Sequence, residues 1–350
     1  MGYRSAKRFL FLLPPEDAHS ISLLTLSTFP SLFAECCPPG YAGKMGMLSR
    51  SVFGIKFSNP VGMAAGFDKN ADAIAAMCSM GFGFAEVGTV TPKPQRGNPK
   101  PRMFRYEQHG ALQNSMGFNN KGLAHLIRRL KASYPARIPI GANVGKNKDT
   151  PQKNAMDDYL LMISEAKDLC DYLVINVSSP NTAGLRDLQN EEFISDLFSS
   201  ARKQTGRPLL LKISPDLKAS KAVYLCKAAM DNGASGIIAT NTTVDYSIMG
   251  GSKGFGGISG LPLKEKSIAM LRELSSELYG RIPLVSVGGI FSGDDAYERI
   301  ACGASLVQLY TGFIFGGPGL PLRIKTRMID LMEKNGFESI KDLEGSSLRR

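Results

Sequence analysis

Beyond about residue 50 the chain alternates short, continuous apolar runs with stretches in which apolar residues recur at helical spacing. Continuous apolar runs, unlike alternating ones, are expected of parallel strands that are covered on both faces. The runs are rich in Val and Ile, and they are predicted to be strands. There are eight of them, at residues 61–65, 84–90, 138–144, 172–177, 208–213, 236–239, 283–287 and 306–309.

Helical stretches fall between most of these runs. They are predicted at residues 121–134, 157–169, 191–204, 221–232 and 264–278. Eight strands that alternate with helices predict an α/β protein built as a closed (β/α)₈ TIM barrel. The alternative architecture is a doubly wound open sheet.

The first 45 residues do not share this alternation. Arg4, Lys7 and Arg8 flank the apolar residues 9–13, and a second helix is predicted to begin at Pro15, since proline is favoured at the first helical position. We therefore divide the chain into a short helical hairpin at residues 1–45 and a barrel with a C-terminal helix at residues 46–350. The hairpin is predicted to lie on a membrane, and the alternative is a helical cap that closes the bottom of the barrel.

Charge and cysteine content narrow the function classes. The 350 residues carry 42 Lys and Arg against 31 Asp and Glu, a formal net charge of +11, which suggests an anionic partner: nucleic acid, lipid head groups or an acidic small ligand. No apolar run approaches the ~20 residues of a membrane-spanning helix. The six cysteines show no C-x-x-C spacing, so neither structural zinc nor a cysteine-held iron–sulfur cluster is expected, and no metal site is predicted.

The residues that follow the predicted strands are the candidates for chemistry, because TIM-barrel enzymes build their sites at the carboxyl ends of the strands. Nearly every predicted strand there delivers a polar residue or a glycine. Asparagine offers both donors and an acceptor without charge, which suits a flat, amide-bearing heterocycle. The residues concerned are Lys69, Thr89, Asn143, Asn176, Lys212, Asn241, Gly288, Gly289, Tyr310 and Thr311, with Asn114 and Asn181 in neighbouring loops.

Three groups among these residues indicate what kind of ligand the site binds. Gly288 and Gly289 fall where barrels commonly bind a phosphate group through backbone N–H groups. Lys69 and Lys212 suggest an anionic ligand or an electron-rich cofactor ring. No histidine or cysteine follows a strand, and Ser179 is the hydroxyl beside Asn176 and Asn181. From the residues alone, Ser179 is a ligand contact, since a free serine is a poor base.

Several sequence blocks then resemble one family. They run through the predicted barrel in order, at residues 59–69 (NPVGMAAGFDK), 86–92 (EVGTVTP), 100–105 (KPRMFR), 114–120 (NSMGFNN), 145–150 (GKNKDT), 176–181 (NVSSPN), 239–243 (ATNTT), 256–262 (GGISGLP), 286–290 (SVGGI) and 303–311 (GASLVQLYT). These blocks resemble the dihydroorotate dehydrogenases, specifically the quinone-linked, membrane-associated class. The N-terminal helices match that class as well.

The resemblance implies a reaction and a substrate site. The enzyme would oxidise (S)-dihydroorotate to orotate in pyrimidine (UMP) biosynthesis, and Ser179 would be the general base that removes the C5 proton. Serine at this position marks the quinone-linked class. The family often carries Arg where this chain has Ser115. The residues implied to bind the substrate are Lys69, Asn114, Ser115, Met116, Gly117, Phe118, Asn176, Asn181, Asn241 and Thr242.

The resemblance also implies a cofactor and partners. A path for a membrane quinone would be lined by His19, Arg105 and Tyr310. The protein would act as a monomer at the cytoplasmic face of the cell membrane, as a peripheral protein held by its N-terminal helices, without nucleic acid. The residues implied to bind FMN are Ala65, Gly66, Phe67, Asp68, Lys69, Thr89, Asn143, Asn176, Lys212, Thr240, Gly260, Gly289, Tyr310 and Thr311.

Two alternative functions stay open at this stage. One is a flavin barrel of the dihydrouridine synthase type, which acts on tRNA and which the positive net charge favours. Those enzymes use a catalytic cysteine, and no cysteine follows a predicted strand here. The other is dihydroorotate oxidation with a different electron acceptor.

Overall fold

The structure is a computed structural model that describes residues 3–349, apart from the side chain of Arg4. Residues 1, 2 and 350, the outer ends of the two predicted segments, lie outside the described residues. The strands are β1 (Arg50–Val52), β2 (Ile55–Phe57), β3 (Val61–Met63), β4 (Phe84–Val90), β5 (Met103–Tyr106), β6 (Ala111–Asn114), β7 (Ile140–Val144), β8 (Tyr172–Asn176), β9 (Leu209–Ile213), β10 (Gly236–Ala239), β11 (Gly257–Gly260), β12 (Leu284–Val287) and β13 (Ala304–Leu309).

Helices connect most of these strands, and three of the described helices precede the first strand. The bounds are α1 (Tyr3–Leu12), α2 (Pro15–Thr28), α3 (Pro39–Ala42), α4 (Ile74–Ser79), α5 (Leu123–Ser133), α6 (Ala155–Ala166), α7 (Glu191–Gln204), α8 (Ala219–Asp231), α9 (Lys264–Leu278), α10 (Gly293–Ala301), α11 (Thr311–Gly316), α12 (Leu320–Lys334) and α13 (Ile340–Leu343). Among the described residues, no helix combines the length and the apolar character that crossing a bilayer requires.

The predicted barrel is confirmed. Eight parallel strands close in the order β10-β12-β13-β3-β4-β7-β8-β9, and every residue of these strands is buried. Each of the eight apolar runs forms one of them, because a strand covered by the barrel interior on one face and by helices on the other exposes no polar position. The carboxyl ends of all eight strands therefore meet at one mouth.

An aromatic hairpin closes the opposite, amino-terminal end of the barrel. Strands β1 and β2 pair in an antiparallel hairpin. Phe57 of the hairpin packs edge-on against Phe84, with ring centroids 5.4 Å apart, and Phe53 lies 6.4 Å from the ring of Tyr172. Phe84 and Tyr172 are the first residues of β4 and β8, so the hairpin fills the bottom of the barrel. The N-terminal helices do not have this role.

A second, three-stranded antiparallel sheet lies at the mouth, in the order β11-β6-β5. Its register places Gly257 opposite Asn114, and Asn114 opposite Met103. The sequence analysis did not predict this sheet, because its strands are only four residues long and show neither a continuous apolar run nor regular alternation. The sheet brings Asn114 and Gly260 from loops between barrel strands to the mouth.

Helices α1 and α2 form the predicted pair at the N-terminus. Pro15 is the first residue of α2, and Glu16 and Asp17 occupy its first turn, where negative charge complements the helix dipole. The pair packs beside the mouth, with the ring of His19 5.3 Å from that of Phe67, which follows β3. The N-terminal helices therefore adjoin the end of the barrel at which the candidate residues lie.

Candidate active site

A polar cavity opens at the carboxyl ends of the barrel strands, and most of the predicted site residues line it. The cavity also contains residues that the sequence analysis did not assign to a ligand, among them Ser259, Gln308 and Gly312. The predicted residues in its wall are Ala65, Gly66, Lys69, Thr89, Asn114, Met116, Gly117, Phe118, Asn176, Ser179, Asn181, Lys212, Thr240, Asn241, Thr242, Gly260, Gly289, Tyr310 and Thr311.

Four of the residues predicted to bind the substrate or FMN do not line this cavity. Phe67 lines a separate apolar cavity. Asp68 does not line the polar cavity. Its carboxylate accepts hydrogen bonds from backbone N–H groups that follow it in the chain, including that of Ala73 at 2.7 Å. The hydroxyl of Ser115 accepts a hydrogen bond from Asn98 Nδ2 at 3.4 Å. Asn143 is fully buried below the cavity floor, where it contacts residues that do line the cavity.

One side of the cavity is a glycine cradle after β12. Gly288 has φ +123° and Gly289 has φ +72°, values that L side chains rarely adopt. A Cβ on Gly288 would lie 2.9 Å from Ser267 Cβ, so the backbone and not a side chain forms this wall. The ionic or polar group of a ligand therefore meets main-chain atoms here, as in the phosphate sites of many barrels.

The asparagines form a connected array across the cavity floor. Asn176 Nδ2 donates to Thr89 Oγ1 at 2.9 Å and to Asn143 Oδ1 at 3.2 Å. Asn181 Nδ2 donates to Asn114 Oδ1 at 3.1 Å. Because each amide is held by a neighbour, the array presents donors and acceptors in fixed directions.

Several buried polar atoms in the cavity wall have no partner within the described residues. They are Asn181 Oδ1, Thr240 Oγ1, Thr242 Oγ1 and Gln308 Oε1. A buried polar group without a hydrogen bond costs free energy, so such groups at one cavity indicate a polar ligand that completes them. A ring with several carbonyl and N–H groups matches this set.

Ser179 lies on the loop after β8 and is nearly buried. Its Oγ accepts a hydrogen bond from the backbone N–H of Asn181 at 3.2 Å. No cysteine lines the cavity: Cys170, Cys226 and Cys302 are buried elsewhere in the barrel. Ser179 therefore contributes one of the hydroxyl groups of a cavity that no cysteine of the described residues lines.

Lys69 supplies a positive charge at the cavity wall. Its Nζ donates to the backbone oxygen of Gly66 at 3.0 Å, and no carboxylate forms an ion pair with it among residues 3–349. The pKa of Lys69 is lowered to about 8, mainly by burial and in part by the charge of Arg102, whereas the charges of Glu16 and Asp68 oppose this shift. An anionic group in the cavity would stabilise the protonated form.

A buried ion pair lies at the floor of the cavity. Lys212 Nζ is 3.4 Å from Glu86 Oε1, and the two side chains are 6% and 0% exposed. Gln308 Nε2 donates to Glu86 Oε2 at 2.6 Å. Sequence reasoning missed Glu86 and Gln308. The available signal was the carboxyl group of Glu86 among the mostly apolar residues 84–90, since a buried charge needs a partner.

The apolar cavity lies between the N-terminal helices and the barrel. It has a volume of about 460 Å³, within the range of small-molecule sites, about 300–1,000 Å³. The three residues predicted for the quinone path, His19, Arg105 and Tyr310, all line it. Tyr310 also lines the polar cavity, so this residue borders both cavities.

The polar groups of the apolar cavity are few and are constrained. Burial lowers the pKa of His19 to about 3, and Lys69 contributes in the same direction, so the imidazole is neutral at physiological pH. The guanidinium of Arg105 lies 4.0 Å from the ring centroid of Phe11, and its Nη1 donates to the backbone oxygen of Phe11 at 3.0 Å. Arg105 therefore ties helix α1 to strand β5.

Comparisons with known proteins agree on one family. The family model described as dihydroorotate dehydrogenase matches residues 47–332. Among curated proteins, the dihydroorotate dehydrogenase (quinone) of Nitratiruptor sp. is 51% identical over 100% of both chains, and that of Sulfurimonas denitrificans is 49% identical over 99% of both. The crystal structure of a dihydroorotate dehydrogenase from Eimeria tenella in complex with ferulenol superposes with a TM-score of 0.88 at 36% identity, covering 96% of each chain.

Proposed function

The chain belongs to the dihydroorotate dehydrogenase family, and we propose that it oxidises (S)-dihydroorotate to orotate in pyrimidine biosynthesis, with a quinone as the final electron acceptor. The observation that carries the proposal is the pair of adjoining cavities. A polar cavity suited to an anionic amide heterocycle shares Tyr310 with an apolar cavity suited to a hydrophobic acceptor. Electrons that leave the substrate in the first cavity have a short route to an acceptor in the second.

The substrate occupies the polar cavity beside Ser179. Lys69 neutralises its carboxylate, while Asn114, Asn176, Asn181 and Asn241, with Thr242, bind the amide edges of the pyrimidine ring. The partnerless Oδ1 of Asn181 and Oγ1 of Thr242 support this assignment, because a cyclic diamide offers them groups to pair with. The segment from Ser115 to Phe118 covers the substrate; Met116, Gly117 and Phe118 line the cavity, which supports this part of the assignment.

Ser179 accepts the proton from C5 while its own hydroxyl proton passes to solvent water. The backbone N–H of Asn181, which donates to Ser179 Oγ, stabilises the partial negative charge that the oxygen carries as it loses that proton. A general base contributes about 10²–10⁴-fold to a rate, so Ser179 accounts for part of the acceleration and the fixed position of the substrate for the rest.

The family is flavin-dependent, and we assign FMN to the same cavity. The residues fit it: Gly289 and Thr311 border the main-chain cradle for the phosphate, and Lys212 supplies a buried cation beside partnerless acceptors. The chemistry that FMN supplies when bound is acceptance of the C6 hydride and transfer of the electrons to a quinone. The remaining FMN contacts are Ala65, Gly66, Lys69, Thr89, Asn176, Thr240, Gly260 and Tyr310. Asn143 supports Thr89 and Asn176 from below the cavity floor, and Phe67 and Asp68 support the loop that carries Gly66.

The quinone enters through the apolar cavity, past His19, Arg105 and Tyr310. Helices α1 and α2 expose large apolar side chains around this cavity; Leu12 is 82% and Leu24 is 67% exposed. With Lys7 and Arg8 nearby, the N-terminal hairpin, described from residue 3 to residue 45, lies on the cytoplasmic face of the cell membrane and holds the protein there as a peripheral monomer.

The experiment that tests the function compares electron acceptors. The purified protein is reduced with dihydroorotate without oxygen, and turnover is measured with a quinone, with fumarate and with NAD. We expect orotate formation with the quinone and little with the other two acceptors. Turnover with fumarate or NAD at the same rate would replace the acceptor assignment, and no flavin reduction by dihydroorotate would overturn the proposed function. The tRNA alternative has little support, because no cysteine lines the polar cavity.

A further inference from the structure

Glu86 is a fully buried carboxyl group to which the proposed reaction gives no part. It lies in the middle of β4, below the cavity floor, and it is not among the residues that line either cavity. Its Oε1 accepts hydrogen bonds from Asn143 Nδ2 at 2.7 Å and from Lys212 Nζ at 3.4 Å. Its Oε2 accepts from Gln308 Nε2 at 2.6 Å. Both oxygens are therefore paired with N–H donors from three other strands of the barrel.

The chemistry of a carboxylate fixes how these partners are turned. An ionised carboxylate only accepts hydrogen bonds, whereas a side-chain amide has one accepting and one donating end. The amide nitrogens of Asn143 and Gln308 must face Glu86, and their oxygens must face away from it. Asn143 Oδ1 accordingly accepts from Thr89 Oγ1 at 2.5 Å and from Asn176 Nδ2 at 3.2 Å.

The orientation of the Asn143 amide in turn fixes the orientation of the asparagines that are assigned to the substrate. With its nitrogen directed toward Asn143, Asn176 has its Oδ1 free to accept from Ser178 Oγ at 3.1 Å and from Asn241 Nδ2 at 3.4 Å. Asn241 Oδ1 then accepts the backbone N–H of Thr242 at 2.8 Å. One carboxylate thus determines the direction of three asparagine amides in succession.

The second branch ends at the cavity itself. Because Gln308 Nε2 is bound to Glu86, its Oε1 is the end that remains, and this atom is buried and without a partner among the described residues. Gln308 is also one of the residues lining the cavity. The carboxylate therefore makes Gln308 an acceptor for an N–H group of a ligand, and it also compensates the charge of Lys212.

We propose that Glu86 is a positioning residue that sets the donor and acceptor directions of the Asn143–Asn176–Asn241 array and of Gln308, and that balances the charge of Lys212. This inference rests on the proposed function, since the array is assigned to the substrate and to FMN there. A purely structural ion pair would affect only the stability of the protein. A positioning role for Glu86 means that the affinity for the ligand and the midpoint potential of the flavin also depend on this residue.

The test is Glu86→Gln, which keeps the shape but replaces one acceptor by a donor. We expect the orotate dissociation constant, measured from the flavin absorbance, to rise about tenfold, because misdirected amides lose one or two hydrogen bonds. The flavin midpoint potential becomes more positive, since a buried negative charge beside Lys212 is lost. The matched control is Glu344→Gln, which breaks the partly buried ion pair with Arg50 far from the cavity, 2.6 Å long. It lowers the melting temperature and leaves affinity and potential unchanged.

A second variant tests the positioning role of Glu86 if the Glu86→Gln protein does not fold. Asn143→Leu interrupts the array without changing any charge, and we expect it to weaken orotate binding although Asn143 does not line the cavity. Unchanged orotate affinity and potential in a folded Glu86→Gln protein, or unchanged orotate affinity in Asn143→Leu, would overturn the inference. Wild-type protein that neither binds orotate nor is reduced by dihydroorotate would instead overturn the proposed function.

Discussion

The two cavities that meet at Tyr310 are built from different parts of the chain and by different interactions. The polar cavity lies at the ends of barrel strands, and hydrogen bonds such as that from Asn181 to Asn114 fix its side chains. The apolar cavity lies between the barrel and two N-terminal helices, with packing contacts such as that of His19 on Phe67. In the proposed function, this difference separates two tasks. The polar cavity binds the substrate in one fixed orientation, and the apolar cavity admits a flexible apolar molecule.

The two regions are nevertheless linked by charge. Glu16 of α2 forms a 2.6 Å ion pair with the nearly buried Arg102, and Arg102 Nη1 donates to the backbone oxygen of Asn98 at 2.8 Å. Asn98 Nδ2 in turn donates to the backbone oxygen of Asn181 at 3.0 Å, beside Ser179. The helices therefore contact loops at the barrel mouth, although none of their described residues lines the polar cavity.

The largest effect is expected from removing the apolar region. Deletion of residues 1–45 removes α1 and α2 and opens the apolar cavity, so turnover with a long-chain quinone in membranes should be abolished. Turnover with a short-chain, water-soluble quinone should persist, because such an acceptor needs no apolar path. Steady-state rates with the two quinones measure this. Full activity of the truncated protein with the long-chain quinone would show that the hairpin is only a structural cover.

The next largest effect concerns the polar region. Ser179→Ala removes the oxygen that accepts the C5 proton, and flavin reduction by dihydroorotate should slow by about 10²–10⁴-fold while flavin content is kept. Stopped-flow absorbance at the flavin band measures the rate. The control is Ser164→Ala, on helix α6, where the hydroxyl only donates to a backbone oxygen of its own helix. Reduction at the wild-type rate in Ser179→Ala would remove the serine from the mechanism.

A smaller effect is expected from the cation at the cavity wall. Lys69→Ala leaves the substrate carboxylate without its charge partner. A charge-assisted hydrogen bond contributes about 1.5–3 kcal/mol, so the orotate dissociation constant should rise about tenfold to a hundredfold. The matched control, Lys153→Ala, removes an exposed lysine elsewhere on the barrel. Equal orotate affinity in wild type and Lys69→Ala would place the carboxylate elsewhere.

The smallest effect is the pH dependence of the same site. Because the pKa of Lys69 is lowered to about 8, the free protein loses this charge as the pH rises through 8. Orotate favours the protonated form, so its dissociation constant should rise roughly tenfold between pH 7 and pH 9. Titrations across this range measure the profile, and Lys69→Ala should flatten it. A profile with the same slope in both proteins would assign the titration to another group.

The barrel was predictable from the sequence for a physical reason. Strands covered on both faces are largely apolar along their length, and the predicted runs 84–90 and 236–239 coincide with β4 and β10. The three-stranded sheet at the mouth was not predictable, since β5, β6 and β11 are short and some of their residues are only partly buried. Their pairing depends on chain segments that are distant in sequence and that the barrel brings together.

The candidate site was predictable to the extent that it follows strand ends. Lys69, Asn176 and Lys212 come directly from that rule, and all three line the polar cavity. The path residues His19 and Arg105 lie on a helix and on a short strand, so only the family resemblance indicated them. The partners of Glu86 could not be inferred, because three strands have to close into a barrel before Asn143, Lys212 and Gln308 meet it.

The most direct test of the division between the cavities resolves the two half-reactions in one instrument. Anaerobic stopped-flow spectroscopy follows flavin reduction by dihydroorotate and then flavin reoxidation by a long-chain quinone, in wild type, in Ser179→Ala and in the protein without residues 1–45. The account predicts that Ser179→Ala slows only reduction and that the truncation slows only reoxidation. If both variants slowed the same half-reaction, the two cavities would not serve separate steps and the account would be contradicted.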